Sequence, residues 1–465
     1  MKISHHGAVW FLAASMLLCT ACSGGEPTTT TTLASQSTTA SADQTDQGTT
    51  TATNALNTTE NGEKGTTMSQ DGNITTTTTS TTKAIESTAS ALSKYDTEYL
   101  KTRGGLNNTY ARLTKDKKLT VAYIGGSITA GASASNAATL SYRPLTTAWL
   151  QKTFPDAQIT EINMGTGSAG SKFPTYYVDA DVIPQKPDLV FLECAINDYL
   201  ENRVVTIEEV SIQYETVIRK ILKSNPTCEF VALYTTDENV SATVEYFEQA
   251  KAQDEVAAHY DIPSINIGRR LRVEKNLLKP KIQNQYIPTW KVYFADTVHP
   301  TDRGHALYAD YIAEYLKLAF DEAKKTGAGV INKTMPAAKN STLLMNTQYI
   351  KTTNVDLAQS KNWYRATGEF YGTTKYYIYT NNAYNELVIT FTGSSLTLNC
   401  SGLGWHDTVK ASYSVDGGEW NTLNPNAIRE VEIVRGLKHG AHTLRLKIGD
   451  NTAKNTFKIG GFMIH

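Results

Sequence analysis

Apolar residues are spaced very unevenly along this chain. Residues 8–18, from Ala8 to Leu18, form one continuous apolar run after Lys2. That length suits the core of a signal peptide and is too short for a permanent membrane span. From residue 23 to 93 large apolar side chains nearly vanish, and Thr, Ser, Ala, Asn and Gln take over, with almost pure threonine around Thr28 and Thr75. Such a stretch has no core to offset the entropy of ordering, so it predicts a disordered linker suited to glycosylation.

From about Tyr95 to Lys325 short apolar runs alternate with helical periodicity. The runs around Val121–Ile124, Gln158–Met164, Pro187–Glu193, Cys228–Tyr234 and Pro263–Ile267 predict strands. Between and after them, residues 142–154, 208–222, 244–260 and 306–320 predict helices. Strand and helix taking turns argues for a parallel sheet covered on both faces, with ligands at the C-terminal strand ends. Residues 326–344 read as a linker, with Gly327, Gly329, Pro336 and Ser341. From residue 345 to 465 the pattern changes to short two-residue alternations, as in Glu386–Phe391, Ser395–Asn399, Ala411–Val415 and Glu430–Val434. The segment Val415-Asp416-Gly417-Gly418 is a hairpin signal, and the whole predicts an all-β sandwich.

Composition narrows the picture. The net charge is −1 and no basic stripe is present, so nothing points to nucleic acid. The five cysteines comprise Cys19 and Cys22 near the apolar run and the widely spaced Cys194, Cys228 and Cys400. Three scattered cysteines make no disulfide framework, and no Cys or His cluster suggests a metal site. Buried, inert thiols are expected.

The chemistry-bearing residues follow strands. Gly125-Gly126-Ser127 ends the first run and places a serine on a strand-to-helix turn. Gly165-Thr166-Gly167-Ser168-Ala169-Gly170-Ser171 follows the second, and Ala195-Ile196-Asn197-Asp198 the third. Before the last helix stands Asp296-Thr297-Val298-His299-Pro300. An aspartate three residues before a histidine can accept from Nδ1–H, freeing the other nitrogen to take a hydroxyl proton. Ser127, His299 and Asp296 thus supply nucleophile, base and orienting carboxylate. Asn197, the backbone N–H of Ser127 and the small-residue loop offer donors for an oxyanion.

These residues resemble the four blocks of the SGNH (GDSL-like) hydrolase family in its Gly-Gly-Ser-Ile-Thr variant: Gly125–Thr129, Asn163–Ser171, Ala195–Asp198 and Asp296–Pro300. The resemblance spans about Arg103 to Leu318. It implies a three-layer α/β/α sandwich with a parallel five-stranded sheet, and ester hydrolysis through Ser127, Asp296 and His299 without metal or cofactor. It implies Asn197 as an oxyanion donor. The usual glycine donor of the second block falls at Ser168, leaving that amide open among Gly167, Ser168 and Gly170. Cys22, after Leu18-Cys19-Thr20-Ala21, resembles a bacterial lipoprotein cleavage box with cysteine where leucine is preferred, which implies lipidation of Cys22.

The expected organisation is a lipoprotein signal peptide (1–22), a Thr/Ser-rich linker (23–93), a hydrolase domain (94–325), a short linker (326–344) and a β-sandwich (345–465). The last, with Gly436–Leu444 among its motifs, resembles the jelly-roll partner of two-domain carbohydrate esterases. The expectation is an exported enzyme, held at a bacterial surface by a lipid anchor or secreted, that removes acetyl groups from a polysaccharide such as xylan or mannan. Cell-wall O-acetyl groups or small acyl and lipid esters are alternative substrates. A catalytically inactive glycan-binding lipoprotein is the alternative from another class.

Overall fold

The computed structural model describes residues 99–465, apart from 201–204, 241–245, 278–289, 328, 371–372, 381–384, 402–410, 424–428 and 450–456. The expected signal peptide, lipidation site Cys22 and Thr/Ser-rich linker lie outside the described residues.

The first sheet has six strands: β1 (Leu100–Lys101), β2 (Lys118–Gly125), β3 (Gln158–Gly165), β4 (Leu189–Glu193), β5 (Glu229–Leu233) and β6 (Ser264–Ile265), in the order β1-β6-β5-β4-β2-β3. Strands β2 to β6 are parallel, matching the five expected; β1 is a sixth, pairing antiparallel with β6. Two residues are too few to show a period, which is why β1 escapes a reading by pattern. Every residue of β4 and β5 is buried, as a strand covered on both faces must be.

Period-two alternation divides the core. Val121, Tyr123, Leu189, Phe191, Val231 and Leu233 face one side, where Leu150, Tyr308, Ile312 and Leu316 pack on them. Ala122, Ile124, Val190, Leu192, Phe230 and Ala232 face the other, against Phe173, Tyr214, Val217, Ile218 and Val256. The helices are α1 (Asn107–Ala111), α2 (Ser127–Ala130), α3 (Tyr142–Thr153), α4 (Lys172–Tyr177), α5 (Ala195–Leu200), α6 (Ile207–Ser224), α7 (Glu248–His259), α8 (Ile267–Glu274), α9 (Trp290–Tyr293) and α10 (Asp302–Thr326). Helix α10 starts four residues before the expected Ala306, because Thr301 caps it through Gly304 N–H (3.5 Å). It ends at Gly327, whose φ of 62° suits glycine.

The stretch after α10 does not hang free. Ile331 exchanges hydrogen bonds with Asn108, Lys333 N–H donates to Pro226 O (2.9 Å), and the backbone of Lys339 and Asn340 donates to Glu215 (2.7 Å each).

The second domain is all antiparallel. Its strands are β7 (Gln348–Lys351), β8 (Tyr364–Phe370), β9 (Thr373–Thr380), β10 (Glu386–Gly393), β11 (Leu396–Ser401), β12 (Ala411–Val415), β13 (Asn421–Thr422), β14 (Arg429–Val434), β15 (Gly440–Ile448) and β16 (Phe457–Ile464). They form two sheets, β10-β15-β12-β13 and β14-β11-β16-β9-β8, with β7 also on β16. The expected hairpin is present: Asp416 (φ 52°) and Gly417 (φ 74°) turn β12 into β13, closed by Gly418 N–H to Val415 O (2.9 Å).

Strand β16 docks the two domains. Phe462 and Ile464 point into the sandwich core, while Met463 between them enters the core of the first domain. Tyr349 of β7, paired with Met463, packs edge-on against Phe173 (5.9 Å). The buried Lys220 ammonium of α6 donates to Thr347 O and Oγ1 (2.9 Å each) and pairs with Asp179.

Candidate active site

The end of β2 sets the site. Gly125 and Gly126 are glycines for want of room: a Cβ on Gly125 would overlap Thr129 Oγ1 and the Glu193 carbonyl, and one on Gly126 would overlap the Asn197 amide. The chain turns here directly into α2, so Ser127 occupies its first position, where a backbone N–H has no partner within the helix.

Ser127 Oγ lies 2.7 Å from His299 Nε2, and His299 Nδ1 lies 2.6 Å from Asp296 Oδ2. With Nδ1–H donating to the carboxylate, Nε2 is left to accept from the serine hydroxyl. Asp296 Oδ1 accepts the backbone N–H groups of Val298 (2.8 Å) and His299 (2.7 Å). Burial alone would raise the Asp296 pKa, but the hydrogen bonds from His299 and Val298 outweigh it and hold it at about 2.

The loop bearing this pair is pinned at its base. Phe294 bridges Pro300, Ala295 N–H donates to His299 O (2.9 Å), and Trp290 Nε1–H donates to Asp296 O (2.7 Å). Trp290 is itself buried and stacked on Phe294 at 4.0 Å. Asp302 ties the start of α10 to the segment after the serine, accepting Ser135 N–H (2.7 Å) and Oγ–H (2.6 Å). His305 does the same deeper down: Nδ1 accepts Tyr142 N–H (3.3 Å) and Nε2–H donates to Ala132 O (3.1 Å). Burial pushes the His305 pKa down to about 4, keeping the ring neutral as these two bonds require.

Asn197, on α5, is buried, and one N–H of its amide donates to Ala169 O (3.1 Å). The amide abuts Gly126, beside the serine. Thr166 to Ala169 form a turn closed by Ala169 N–H to Thr166 O (3.0 Å). Ser168 holds the left-handed φ of 56° there, a conformation that favours glycine. Gly170 is packed so tightly against the Asp198 carboxylate that a Cβ would overlap it.

Pattern reading passes over two buried acids below these loops. Asp198 accepts Ser171 N–H (2.8 Å) and Gln253 Nε2–H (2.6 Å), joining the glycine loop to α5. Burial pushes its pKa up to about 7. Glu193, the last residue of β4, accepts from Thr235 Oγ1 (3.0 Å), Thr129 Oγ1 (3.1 Å) and Gly126 N–H (3.4 Å). Burial pushes its pKa up to about 7 against those bonds. An acid inside an apolar strand was the available signal for Glu193. Cys194, Cys228 and Cys400 are all buried.

A cavity of about 670 Å³ opens between the two domains, lined by Ala130 at the end of α2 and Thr166 on one side and by Tyr349, Lys351 and Tyr376 of the β domain on the other; Ser127, Asn197, Asp296 and His299 do not line it. Among the described residues no cluster of three His, Cys, Asp or Glu side chains is placed to hold a metal ion.

Residues 123–307 match the GDSL-like Lipase/Acylhydrolase family. No curated protein matches the sequence. Two solved structures of a two-domain esterase (CEX) active on acetylated mannans share the fold. One, co-crystallised with mannopentaose, has 20% identity and a TM-score of 0.60 over 79% of this chain and 96% of that one. The other has 19% identity and a TM-score of 0.61 over 79% and 97%. Residues 123–307 are therefore similar to the GDSL-like lipases and acylhydrolases, and the chain shares the fold of the two-domain esterase, an SGNH hydrolase fold with an antiparallel β domain behind it.

Proposed function

We propose that the protein removes acetyl groups from a polysaccharide of the xylan or mannan type, with Ser127 as nucleophile, His299 as general base and Asp296 as its orienting carboxylate. The observation that carries the mechanism is the continuous hydrogen-bond relay Asp296–His299–Ser127, at 2.6 and 2.7 Å. Ser127 Oγ attacks the acetyl carbonyl as its proton passes to His299 Nε2. The oxyanion is held by Asn197 Nδ2, Ser127 N–H and one N–H from Gly167, Ser168 or Gly170. His299 returns the proton to the departing sugar hydroxyl, and water then enters by the same base to release acetate and free serine.

The polymeric substrate rests on two supports. The fold extends through both domains of an esterase described as active on acetylated mannans. A cavity shared between the hydrolase and β domains, reached by Ala130 at the end of the serine-bearing helix, has tyrosines and polar side chains suited to sugar. An exported protein held at the cell surface through Cys22 completes the reading, with the Thr/Ser-rich stretch as its spacer.

Labelling with a fluorophosphonate, followed by peptide mapping, tests the mechanism. Label on the Ser127 peptide, absent in Ser127→Ala together with hydrolysis of 4-nitrophenyl acetate, is expected. Unlabelled wild-type protein that cleaves no ester would favour a binding protein.

A further inference from the structure

The serine chemistry gives Glu193, a fully buried acid, no task. Glu193 closes β4 in register with Gly125, and its side chain is wholly enclosed. Among the described residues no Lys or Arg forms an ion pair with it. A buried carboxylate without a cation is costly, so its presence calls for a compensating role.

Its contacts show what it holds. One oxygen, Oε2, accepts from Gly126 N–H (3.4 Å), the residue before the serine, and from Thr129 Oγ1 (3.1 Å), two residues after it. The other, Oε1, is fixed by Thr235 Oγ1 (3.0 Å) beyond the end of β5. Thr129 Oγ1 also meets Tyr142 OH at 2.8 Å, which carries the network to α3. Gly125 makes the space: a Cβ there would come within 2.9 Å of Oε2. The serine turn is thus grasped on both sides of Ser127 by a single carboxylate whose far side is anchored to a neighbouring strand.

We propose that Glu193 is a positioning residue, clamping the Gly126–Thr129 turn so that Ser127 Oγ stays within hydrogen-bond reach of His299. The proposal rests on Ser127 being the nucleophile. It differs from a merely structural role in that it predicts loss of turnover in molecules that are still folded.

The test compares Glu193→Met and Glu193→Gln in the full chain, on protein shown to unfold cooperatively. The readouts are kcat and KM for 4-nitrophenyl acetate and the rate of fluorophosphonate labelling at Ser127. Glu193→Met fills the space without accepting hydrogen bonds. A displaced nucleophile should lower kcat and labelling rate together by about 10–100-fold while KM stays within about twofold. Glu193→Gln can still accept from Gly126 and Thr129 through its oxygen, while its NH2 donates to the Thr235 hydroxyl. It should recover kcat to within about threefold of wild type. Folded Glu193→Met with wild-type kcat overturns the proposal. So does Glu193→Gln as slow as Glu193→Met, since charge and not hydrogen bonding would then be what matters. If Glu193→Met does not fold, Thr129→Val substitutes for it: slower labelling supports the clamp, and wild-type labelling and kcat overturn it. Wild-type protein that fails to label at Ser127 would instead remove the nucleophile assignment on which the proposal stands.

Discussion

Asp296 stands three residues before His299, and the single turn between them orients the base. The side chain and two backbone N–H groups of the same turn converge on the Asp296 carboxylate, so it remains ionised under any ordinary condition. Asp296→Asn keeps the shape but forces the wrong histidine tautomer, and kcat should fall by about 10³–10⁴-fold with KM little changed. Asn197→Ala should cost about 10²–10³ in kcat, the usual toll for one oxyanion donor. Steady-state kinetics on a small acetyl ester checks both. Glu193 makes a separate prediction about stability. Its pKa of about 7 in the folded protein lies above the ordinary glutamate value of 4.5. Between these values the unfolded chain releases a proton that the folded protein keeps, so this residue's contribution falls as pH rises from about 4.5 to 7. Glu193→Gln has no such proton. Relative to wild type its unfolding free energy should therefore gain up to about 3 kcal/mol between pH 4.5 and pH 8. Denaturant titrations at the two pH values measure this, and an unchanged difference would contradict the burial argument.

At the scale of elements, what was legible in the sequence was whatever local pattern decides. Buried strands such as Leu189–Glu193 and the amphipathic helix Ile207–Ser224 announce themselves by period. The turn at Asp416-Gly417 does so by its demand for positive φ. Ser127, Ser168, Asn197 and His299 each stand next to such an element, Ser127 and Asn197 within the short helices that follow β2 and β4 rather than in loops. Contacts distant in sequence were not legible. Nothing local says that Asp302 will reach Ser135 or that Thr235 will anchor Glu193. The strands Gln348–Lys351, Tyr364–Phe370, Thr373–Thr380 and Phe457–Ile464 also escaped. In β16 the apolar residues fall on both faces, because Met463 is buried in one domain and its neighbours Phe462 and Ile464 in the other. That erases the alternation by which a half-buried strand is recognised.

At the scale of the molecule, the β domain is fastened to the hydrolase by apolar burial and by a buried lysine. Met463→Ala should cost about 2–5 kcal/mol although the residue lies far along the chain from the hydrolase core. Thermal unfolding would show it, and an unshifted transition would mean that the docking is not a shared core. The docking also builds a cavity lined from both domains, with Ala130 and Thr166 on one wall and Tyr349, Lys351 and Tyr376 on the other. The measurement that tests the account most directly is acetate release from acetylated glucomannan and acetylated xylan by the protein from residue 94 onward, beside its Ser127→Ala variant. The account predicts release from at least one polymer by wild type and none by the variant. Equal release by both, or none from either polymer while a small acetyl ester is still cleaved, would contradict it.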